Sequence, residues 1–354
     1  MSKDRSWRQI ASVYIGTVIG AGFASGQEIL QFFVKYGYKG LIGALISTAL
    51  FMIIATITLL KVYNDKIENY QQLIVPVMGK KFSIIVEITI LSYLFIGVCI
   101  MVAGSGALFE EQFNISYNIG LIIMALMTLF TVMYSVKGIL TANTILIPIL
   151  LIGIIFIGIM TFAKKDFDFN NINIASEDKH SWLMSSIMYV NYNIISAIVV
   201  LATLLPVIKN RKSAIKGGLM GGLGLGALAL FLIISLMLVY EDIKYLELPM
   251  LGVARYAVKN GDILYSFLIW IAMFTTSVSN SFGFLTRICD IIKMNFELAA
   301  VTFCITIILV AHIGFSNLVN MFYPLFGYLG SVFILIFIIL SIYIKIRNKI
   351  SNLN

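Results

Sequence analysis

The chain alternates between long apolar segments and short stretches that carry charges, glycines or asparagines. Each apolar segment is longer than the roughly 10–14 residues typical of a buried helix in a soluble protein. None shows the period-two alternation of a membrane barrel strand. Because a backbone inside hydrocarbon must satisfy its own hydrogen bonds, the pattern predicts transmembrane helices. Ten segments stand out, at about residues 8–34, 40–61, 82–108, 117–136, 142–163, 181–208, 214–240, 263–287, 297–313 and 320–344.

The composition excludes an ordinary soluble protein. Hydrophobic residues make up 60% of the 354 residues and charged residues 12%, and the mean hydropathy is +0.98. A typical globular domain has about 45–50% apolar and about 25% charged residues. We therefore predict an all-α integral membrane protein that forms a single transmembrane domain over residues 1–354.

Positive charge is distributed unevenly between the two sets of loops. With the N-terminus inside the cell, 17 of the 25 Lys and Arg residues fall on the inner side and 8 on the outer side. Cytoplasmic loops of membrane proteins carry such an excess. The pattern predicts a multi-pass protein with both termini in the cytoplasm. Because the excess is confined to one set of loops, the net charge of +8 does not indicate a nucleic-acid partner.

The longest outer connection, at about residues 241–262, is amphipathic rather than uniformly polar. Its apolar side chains recur at the spacing of one helix face. Two interpretations are open at this point. The segment is either a lid over an outer vestibule or an interfacial helix that rests on the bilayer.

The first apolar segment contains an unusual concentration of glycine. Gly16, Gly20, Gly22 and Gly26 lie within eleven residues, and each glycine costs a helix interior about 1 kcal/mol relative to alanine. One interpretation is a small-residue packing face of the Gly-x-x-x-Gly type. The polar residues that follow, which include Ser25 and Glu28, favour a break in the helix instead.

The sixth segment has a corresponding polar interruption, YVNYN, at residues 189–193. Asn191 and Asn193 compete with the helical backbone for hydrogen bonds. Polar interruptions in corresponding members of two halves indicate a transport site, because a broken helix presents free N–H and C=O groups. The pattern therefore predicts two repeats of five helices, at about 8–163 and 181–344, whose first helices are discontinuous.

The stretch GTVIGAGFASGQE at residues 16–28, together with the ten segments, resembles the YkvI-type bacterial membrane proteins. These in turn resemble the amino acid–polyamine–organocation superfamily. That resemblance implies the LeuT-type fold of two inverted five-helix repeats and a location in the bacterial plasma membrane. It covers nearly the whole chain through the segment count, whereas the specific motif is confined to the first helix.

A second stretch, AMFTTSV at residues 272–278, is similar to the eighth helix of sodium-coupled members of that superfamily. The resemblance implies that Na⁺ is bound by the carbonyls of Gly16, Ile19 and Ala272 and by the hydroxyls of Thr275 and Thr276. Neutral oxygens suit a monovalent cation better than Mg²⁺ or Ca²⁺, which recruit carboxylates. The alternative is that both threonines bond back to their own helix. No other cofactor is expected.

The candidate substrate site lies between the two predicted breaks. The amides around Gly20, Ala21, Gly22 and Ser25 would hold a carboxylate-like group, and Glu28, Asn191 or Asn193 would hold an amine. Tyr189 would add an aromatic wall for a cation, although aromatic packing is the common alternative. An acidic side chain within a membrane segment is costly, and it is functional by default. For Glu28 the alternative is a surface charge in outer water.

We therefore expect a secondary transporter that moves an amino acid or small amine by alternating access, with Na⁺ as the coupling ion. The rival hypothesis is a non-transporting receptor that senses a small molecule and acts through a partner subunit. No nucleophile–base pair or metal cluster is visible in the sequence, so we expect no enzymatic activity. The sequence does not indicate an oligomeric state.

Overall fold

The structure, a computed structural model, describes residues 5–134, 137–164 and 181–351, with side chains except at 78, 80, 81, 137–147, 334 and 336–351. Within this part the chain is helical and has no strand. The first seven helices are α1 (Ser6–Val18), α2 (Ala21–Ser25), α3 (Gln27–Phe32), α4 (Tyr38–Asp65), α5 (Tyr70–Phe113), α6 (Tyr117–Tyr134) and α7 (Lys137–Lys164). The other seven are α8 (Trp182–Leu201), α9 (Arg211–Leu238), α10 (Tyr240–Ile243), α11 (Pro249–Ala257), α12 (Gly261–Ile292), α13 (Phe296–Ala311) and α14 (Phe315–Ser351).

Several of these helices are long and apolar enough to cross a membrane. In the described part of the chain six qualify, namely α4, the Phe82–Phe113 portion of α5, α6, α8, α9 and α12. Helix α13 and the Phe315–Phe333 portion of α14 meet at 102° and add a seventh if they form one span. The all-helical, multi-pass membrane fold expected from the sequence is confirmed, whereas the number of ten spans stays a prediction.

The first apolar segment is interrupted at the predicted glycines. Helix α1 ends at Val18, and Gly20 has an extended backbone (φ −108°, ψ −171°) before α2 begins at Ala21. A second bend follows at Gly26, whose φ of +83° lies in the left-handed region that favours glycine. The segment from Ser6 to Phe32 is therefore three short helices rather than one straight rod.

The sixth segment differs from the prediction. Helix α8 runs without a break from Trp182 to Leu201, so the interruption expected at residues 189–193 is wrong. The amides are satisfied without unwinding: Asn193 Nδ2 donates to Tyr189 O at 2.9 Å, and Asn191 Nδ2 donates to Ser331 Oγ at 2.6 Å. Non-helical backbone begins only after Leu201, where Leu205–Val207 forms a 3₁₀ turn.

The long helices of the bundle run between two faces. We call the face at which α1 begins the N-terminal face and the other the opposite face. At the N-terminal face Arg287 of α12 donates to Glu87 of α5. At the opposite face Gln112 Nε2 donates to Asp262 Oδ2 at 3.1 Å. Residues 165–180 and Lys3, which carry part of the predicted charge asymmetry, lie outside the described residues.

Glycines of α9 allow this helix to lie directly against α4. An added Cβ at Gly222 would stand 2.6 Å from the backbone nitrogen of Met52, and one at Gly218 would stand 2.7 Å from that of Thr56. Neighbouring glycines of α9 face α1, where Tyr14 occupies the space beside Gly221. The seventh apolar segment is thus a packing helix, and it holds the first part of the interrupted segment in place.

The connection at about residues 241–262, which the sequence predicts to be an outer one, forms a lid over the interrupted segment. Met250, Leu251 and Val253 of α11 are buried, and α11 packs against α2, α7, α9 and α12. An added Cβ at Gly26 would stand 2.9 Å from Met250 Cγ. Of the two interpretations left open by the sequence, the lid is the one that fits, because the apolar side of α11 faces protein.

Candidate functional site

A cavity of about 260 Å³ lies beside the break between α1 and α2. Its walls come from this break and from α5, α8, α12 and α14. Its volume is close to the lower end of the roughly 300–1,000 Å³ found for drug-sized ligands, so it suits a small metabolite. Five of the predicted substrate residues line it: Gly20, Ala21, Gly22, Glu28 and Asn193.

Glu28 is the one acidic side chain among the residues that line this cavity. Its side chain is 4% exposed, so the interpretation of a surface charge in outer water does not hold. The hydroxyls of Tyr192 and Tyr323 both donate to its carboxylate. An added Cβ at Gly22 would stand 2.2 Å from Glu28 Oε1, which means that the carboxylate occupies the space left by the missing side chain. The site thus contains a buried carboxylate held by two hydroxyls.

A layer of aromatic rings closes the cavity toward the opposite face. Phe32 stacks on Tyr192 with ring centroids 5.6 Å apart, and Tyr192 stacks on Tyr323 at 4.7 Å. Tyr189 packs edge-on against Phe33 at 4.8 Å. The cavity extends the other way, toward the N-terminal face, where its lining includes Thr17, Ile90, Val200 and Asn280.

Three of the predicted substrate residues are not part of the cavity wall. Ser25 Oγ donates to Gly22 O at 2.7 Å and is fully buried. Tyr189 belongs to the aromatic layer behind Glu28. Asn191 points to α14 and lines a different, apolar cavity. Residues 191 and 193 are two positions apart on a continuous helix, so their side chains face opposite sides of it.

The residues predicted to bind Na⁺ are partly engaged with one another. Thr275 Oγ1 donates to Ala272 O at 3.2 Å, as in the alternative of threonine bonding back to its helix. Thr276 lines the cavity. The N–H of Gly20 donates to Val18 O at 3.1 Å instead of reaching Gly16 O, four residues earlier. The break thus withdraws this N–H from the Gly16 carbonyl. The assignment of Gly16, Ile19, Ala272, Thr275 and Thr276 to an ion stays a prediction.

Several residues of the cavity were not identified from the sequence. Tyr93, Ser196 and Tyr323 line it, as do Thr17 and Asn280. An added Cβ at Gly97 would stand 2.7 Å from Asn280 Nδ2, so a glycine of α5 makes room for this amide. Among these residues only Asn280 stands out in the sequence, because it is an amide in the middle of an apolar segment. The three tyrosine and serine positions gave no such signal, because their place depends on contacts between distant helices.

The sequence is 30% identical over 332 residues to the uncharacterized membrane protein YkvI of Bacillus subtilis (strain 168), a match that covers 92% of this chain and 93% of YkvI. The chain belongs to the YkvI family. A second relative from the same organism, the uncharacterized protein YyaD, is 25% identical over 316 residues, which cover 89% of this chain and 91% of YyaD. The chain matches no family model.

Solved structures show that this YkvI-family chain has a LeuT-type fold. The inward-facing conformation of Mhp1 superposes with a TM-score of 0.67 at 15% identity over 91% of this chain and 72% of Mhp1. MhsT in complex with L-phenylalanine superposes with a TM-score of 0.63 at 15% identity, over 97% of this chain and 89% of MhsT. A mutant of the manganese transporter of Eremococcus coleocola superposes with a TM-score of 0.62 at 12% identity, over 95% of this chain and 80% of the transporter. At these identities the likeness concerns the fold alone.

Proposed function

We propose that this YkvI-family protein is a secondary transporter that moves an amino acid or small amine across the bacterial plasma membrane by alternating access. The observation that carries the proposal is the buried Glu28 carboxylate, which faces a small cavity beside an interrupted helix. A carboxylate inside a membrane bundle is costly unless it has a task. The fold, which is shared with proteins described as transporters, supports the same conclusion.

The proposal includes ten spans arranged as two inverted five-helix repeats, at about 8–163 and 181–344. The pairing of helices supports it. Helix α1 packs against α9, and its proposed counterpart α8 packs against α4; α5 packs against α6 as α12 packs against α13. Exchanging the two halves turns the α1–α9 pair into the α8–α4 pair and the α5–α6 pair into the α12–α13 pair. Both termini would be cytoplasmic, which makes the N-terminal face the inner one.

In the proposed complex Glu28 holds the ammonium group of the substrate. Tyr93, Tyr192 and Tyr323 line the same cavity and offer aromatic faces and hydroxyls to a cation. The break at Gly20 to Gly22 brings backbone groups to the wall, where the carboxylate of an amino acid would lie. The rest of the lining is largely aliphatic, and it suits the carbon skeleton of a small molecule.

For coupling we retain Na⁺, bound by the carbonyls of Gly16, Ile19 and Ala272 and the hydroxyls of Thr275 and Thr276. Binding there would stabilise the packing of the interrupted segment against α12. The hydrogen bond from Thr275 to the Ala272 carbonyl would have to be replaced by the ion. Proton coupling through Glu28 is the competing mechanism, because this carboxylate has hydroxyl partners that serve either protonation state.

The experiment is uptake of radiolabelled amino acids and small amines into liposomes that contain the purified protein, after a thermal-shift screen of the same compounds has selected the probe. We expect uptake that requires a Na⁺ gradient. Glu28→Gln should weaken binding of the probe at least about thirty-fold, since truncating one partner of a buried charge pair costs 2 kcal/mol or more. Glu241→Gln, on a side chain that is 77% exposed, is the control.

The outcomes separate the hypotheses. Sodium coupling would be rejected if uptake does not depend on Na⁺ and is unchanged in the double variant Thr275→Ala plus Thr276→Ala. Uptake driven by a pH gradient and abolished by Glu28→Gln would assign the coupling to protons. A thermal shift without any flux would favour the receptor instead of the transporter.

A further inference from the structure

A second cavity, of about 170 Å³, lies between α4, α5, α8 and α14. Aliphatic side chains such as Ile54, Ile194 and Ile198, and the ring of Phe333, form its walls. We call it the lateral crevice. Ile57 at its edge is 59% exposed, and it belongs to the membrane span α4. The crevice therefore lies at the lipid-facing surface of the bundle, where the surrounding solvent is hydrocarbon.

One end of the lateral crevice reaches the membrane interface at the N-terminal face. Helix α5 begins with a short section, residues 70–78, that the left-handed Gly79 (φ 75°) separates from the span Phe82–Phe113. In this section Leu73 is buried and lines the crevice, whereas Gln71 and Gln72 are exposed. A helix with one apolar and one polar side, placed before the span, is typical of an interfacial segment.

A basic recess of about 400 Å³ adjoins this end, and Leu73 lines both spaces. The recess contains Lys61, Asp65 and Lys66. Lys61 Nζ lies 2.9 Å from Asp65 Oδ2, and Lys66 Nζ lies 4.6 Å from the ring centroid of Tyr63. Two ammonium groups against one carboxylate leave one positive charge in excess. Lys80 and Lys81 follow directly after Gly79 in the chain.

We propose that the lateral crevice and the basic recess together bind an anionic phospholipid. One acyl chain would lie among the aliphatic side chains, and the phosphate would lie beside Lys61 and Lys66. The order of surfaces matches such a molecule, because the apolar part opens to hydrocarbon and the basic part stands at headgroup level. Basic pockets between transmembrane helices are known to bind the anionic headgroups of lipids. A neutral lipid would use the crevice but not the excess charge.

The lateral crevice adjoins the 260 Å³ cavity beside the break between α1 and α2, which we call the central cavity. Ile90, Ile195 and Val199 line both spaces, so the two are separated by a wall of single side chains. An acyl chain in the crevice would pack against the back of this wall. The lipid should therefore stabilise the arrangement of α5 and α8 seen here, whatever molecule the central cavity carries.

The experiment uses a tryptophan reporter and lipids with brominated acyl chains, which quench tryptophan fluorescence on contact. Phe333→Trp places the reporter in the crevice. Leu335→Trp, two positions along the same helix on a side chain that is 61% exposed, reports ordinary boundary lipid. Both variants are reconstituted in phosphatidylcholine containing a few mole per cent of brominated phosphatidylglycerol or brominated phosphatidylcholine. The unsubstituted protein has native tryptophans of its own, so the quenching measured in it is subtracted as background.

We expect Phe333→Trp to associate about five-fold more strongly with the brominated phosphatidylglycerol than with the brominated phosphatidylcholine, since one basic charge near the surface contributes about that factor. Leu335→Trp should show no such preference. Adding Lys61→Gln and Lys66→Gln should abolish it, whereas adding Lys244→Gln, at the opposite face, should not. Glycerol phosphate, which has no acyl chain, should not protect the reporter.

Equal quenching by the two lipids at Phe333→Trp would overturn the proposal, and so would a preference that survives the two lysine changes. Should the lysine variant fold poorly, native mass spectrometry of the unsubstituted protein supplies a second measurement. One tightly retained phosphatidylglycerol is expected when phosphatidylcholine of the same chain length is offered in excess. Retention of both lipids in proportion to their supply would also reject the site.

Discussion

At the scale of single residues, the site depends on what the glycine at position 22 leaves free. The Glu28 carboxylate occupies the place where a Cβ would be, and the Tyr323 hydroxyl would stand 2.9 Å from that atom. The absence of a side chain thus allows a carboxylate from the next helix to fold back onto the break. A glycine here is required by close approach rather than by backbone conformation.

Gly22→Ala is therefore expected to displace Glu28 and its tyrosine partners. We predict a loss of about 1–3 kcal/mol in stability, as for other overpacked interiors, together with a loss of uptake. The melting temperature of the purified protein and the liposome assay measure the two effects. Gly283→Ala is the control, because its added Cβ would meet Leu94 Cδ1 at an ordinary 3.4 Å. Equal melting temperatures for the two variants would contradict the prediction.

The hydroxyl of Tyr192 is expected to stabilise the ionised Glu28. Tyr192→Phe should cost about 1.5–3 kcal/mol, the range for a hydrogen bond to a charged group. The cost should shrink in the Glu28→Gln background, and a double-mutant cycle of melting temperatures measures the difference. Tyr328→Phe, on a side chain that is 40% exposed, is the control on α14. Strict additivity of the two changes would show that the bond carries no stability.

At the scale of elements, the unbroken helix α8 separates two amides that looked equivalent in the sequence. Successive residues of a helix are about 100° apart, so positions 191 and 193 face different surroundings. Asn193 lines the central cavity, whereas Asn191 lines the lateral crevice and donates to Ser331 Oγ. Both amides lie within an apolar helix, but hydrogen bonds within and between helices accommodate them without unwinding.

We predict that Asn193→Ala impairs binding of the transported probe, whereas Asn191→Ala leaves its affinity unchanged. Asn191→Ala should instead lower the melting temperature, because Ser331 loses the donor at 2.6 Å. A titration of each variant with the probe selected by the thermal-shift screen distinguishes the two effects. Loss of affinity in Asn191→Ala alone would place the binding site on the other side of α8.

The lid is held by carboxylates that cap neighbouring helices. Glu111 of α5 accepts from the N–H of Glu247 at 2.7 Å and of Leu248 at 3.3 Å, just before α11 begins. Glu247 in turn accepts from the N–H of Phe315 at 3.1 Å, the first residue of α14. Carboxylates at helix N-termini are favourable partners for free N–H groups. The lid is thereby tied to two different spans.

Burial raises the pKa of Glu247, which lies in the loop outside the spans; the Glu110 carboxylate adds to the rise, and the N–H of Phe315 opposes it. A raised pKa means that the docked lid favours the neutral acid. Docking should therefore be strongest at a pH below the ordinary pKa of Glu and weaken as the pH rises through the raised value. Hydrogen exchange of residues 245–258, corrected for intrinsic rates, measures this trend.

Glu247→Gln should remove most of the pH dependence of the lid, while Glu241→Gln, an exposed change, should leave it intact. A residual trend in Glu247→Gln would be assigned to Glu111, the other carboxylate of the latch. Protection that stays constant from pH 4 to pH 8 in the unsubstituted protein would contradict the linkage.

At the scale of the whole molecule, the cavity continues from the aromatic layer toward the N-terminal face and is sealed toward the opposite face. Thr17 and Asn280 stand on its open part. The aromatic layer, and beyond it α11, cover the other direction. The proposed transporter would have this arrangement when it is open to one side, and the solved structures that share its fold include an inward-facing one.

We predict that cysteines at the open part react with a membrane-impermeant thiol reagent from the cytoplasm. Thr17→Cys and Asn280→Cys, in a protein whose Cys99, Cys289 and Cys304 are replaced by alanine, should be labelled in inside-out vesicles. In right-side-out vesicles labelling should be slow. Tyr245→Cys, on an outer-loop residue that is 88% exposed, should behave in the opposite way. Labelling of all three from the same side would contradict the predicted orientation or the open direction.

The sequence by itself determined that the protein folds in a membrane and that the backbone of its first apolar segment bends. Composition and segment length required a helical membrane protein, and the cluster Gly16, Gly20, Gly22 and Gly26 marked the region in which the first segment bends. These features are local, because they depend on transfer to hydrocarbon and on the conformational freedom of single residues. The acidic residue at 28 was recognised for the same reason: a charge in an apolar segment is visible without any contact.

Tertiary structure alone decided which of the predicted residues meet. It joined Glu28 to Tyr192 and Tyr323 from two distant helices. It kept α8 continuous across Asn191 and Asn193. It placed Ser25, Tyr189 and Asn191 outside the cavity wall. It also placed the lid against the bundle and the lateral crevice beside the cavity wall. The physical reason is that these outcomes depend on the rotation of each helix about its axis, and that rotation is set by packing between segments far apart in the chain.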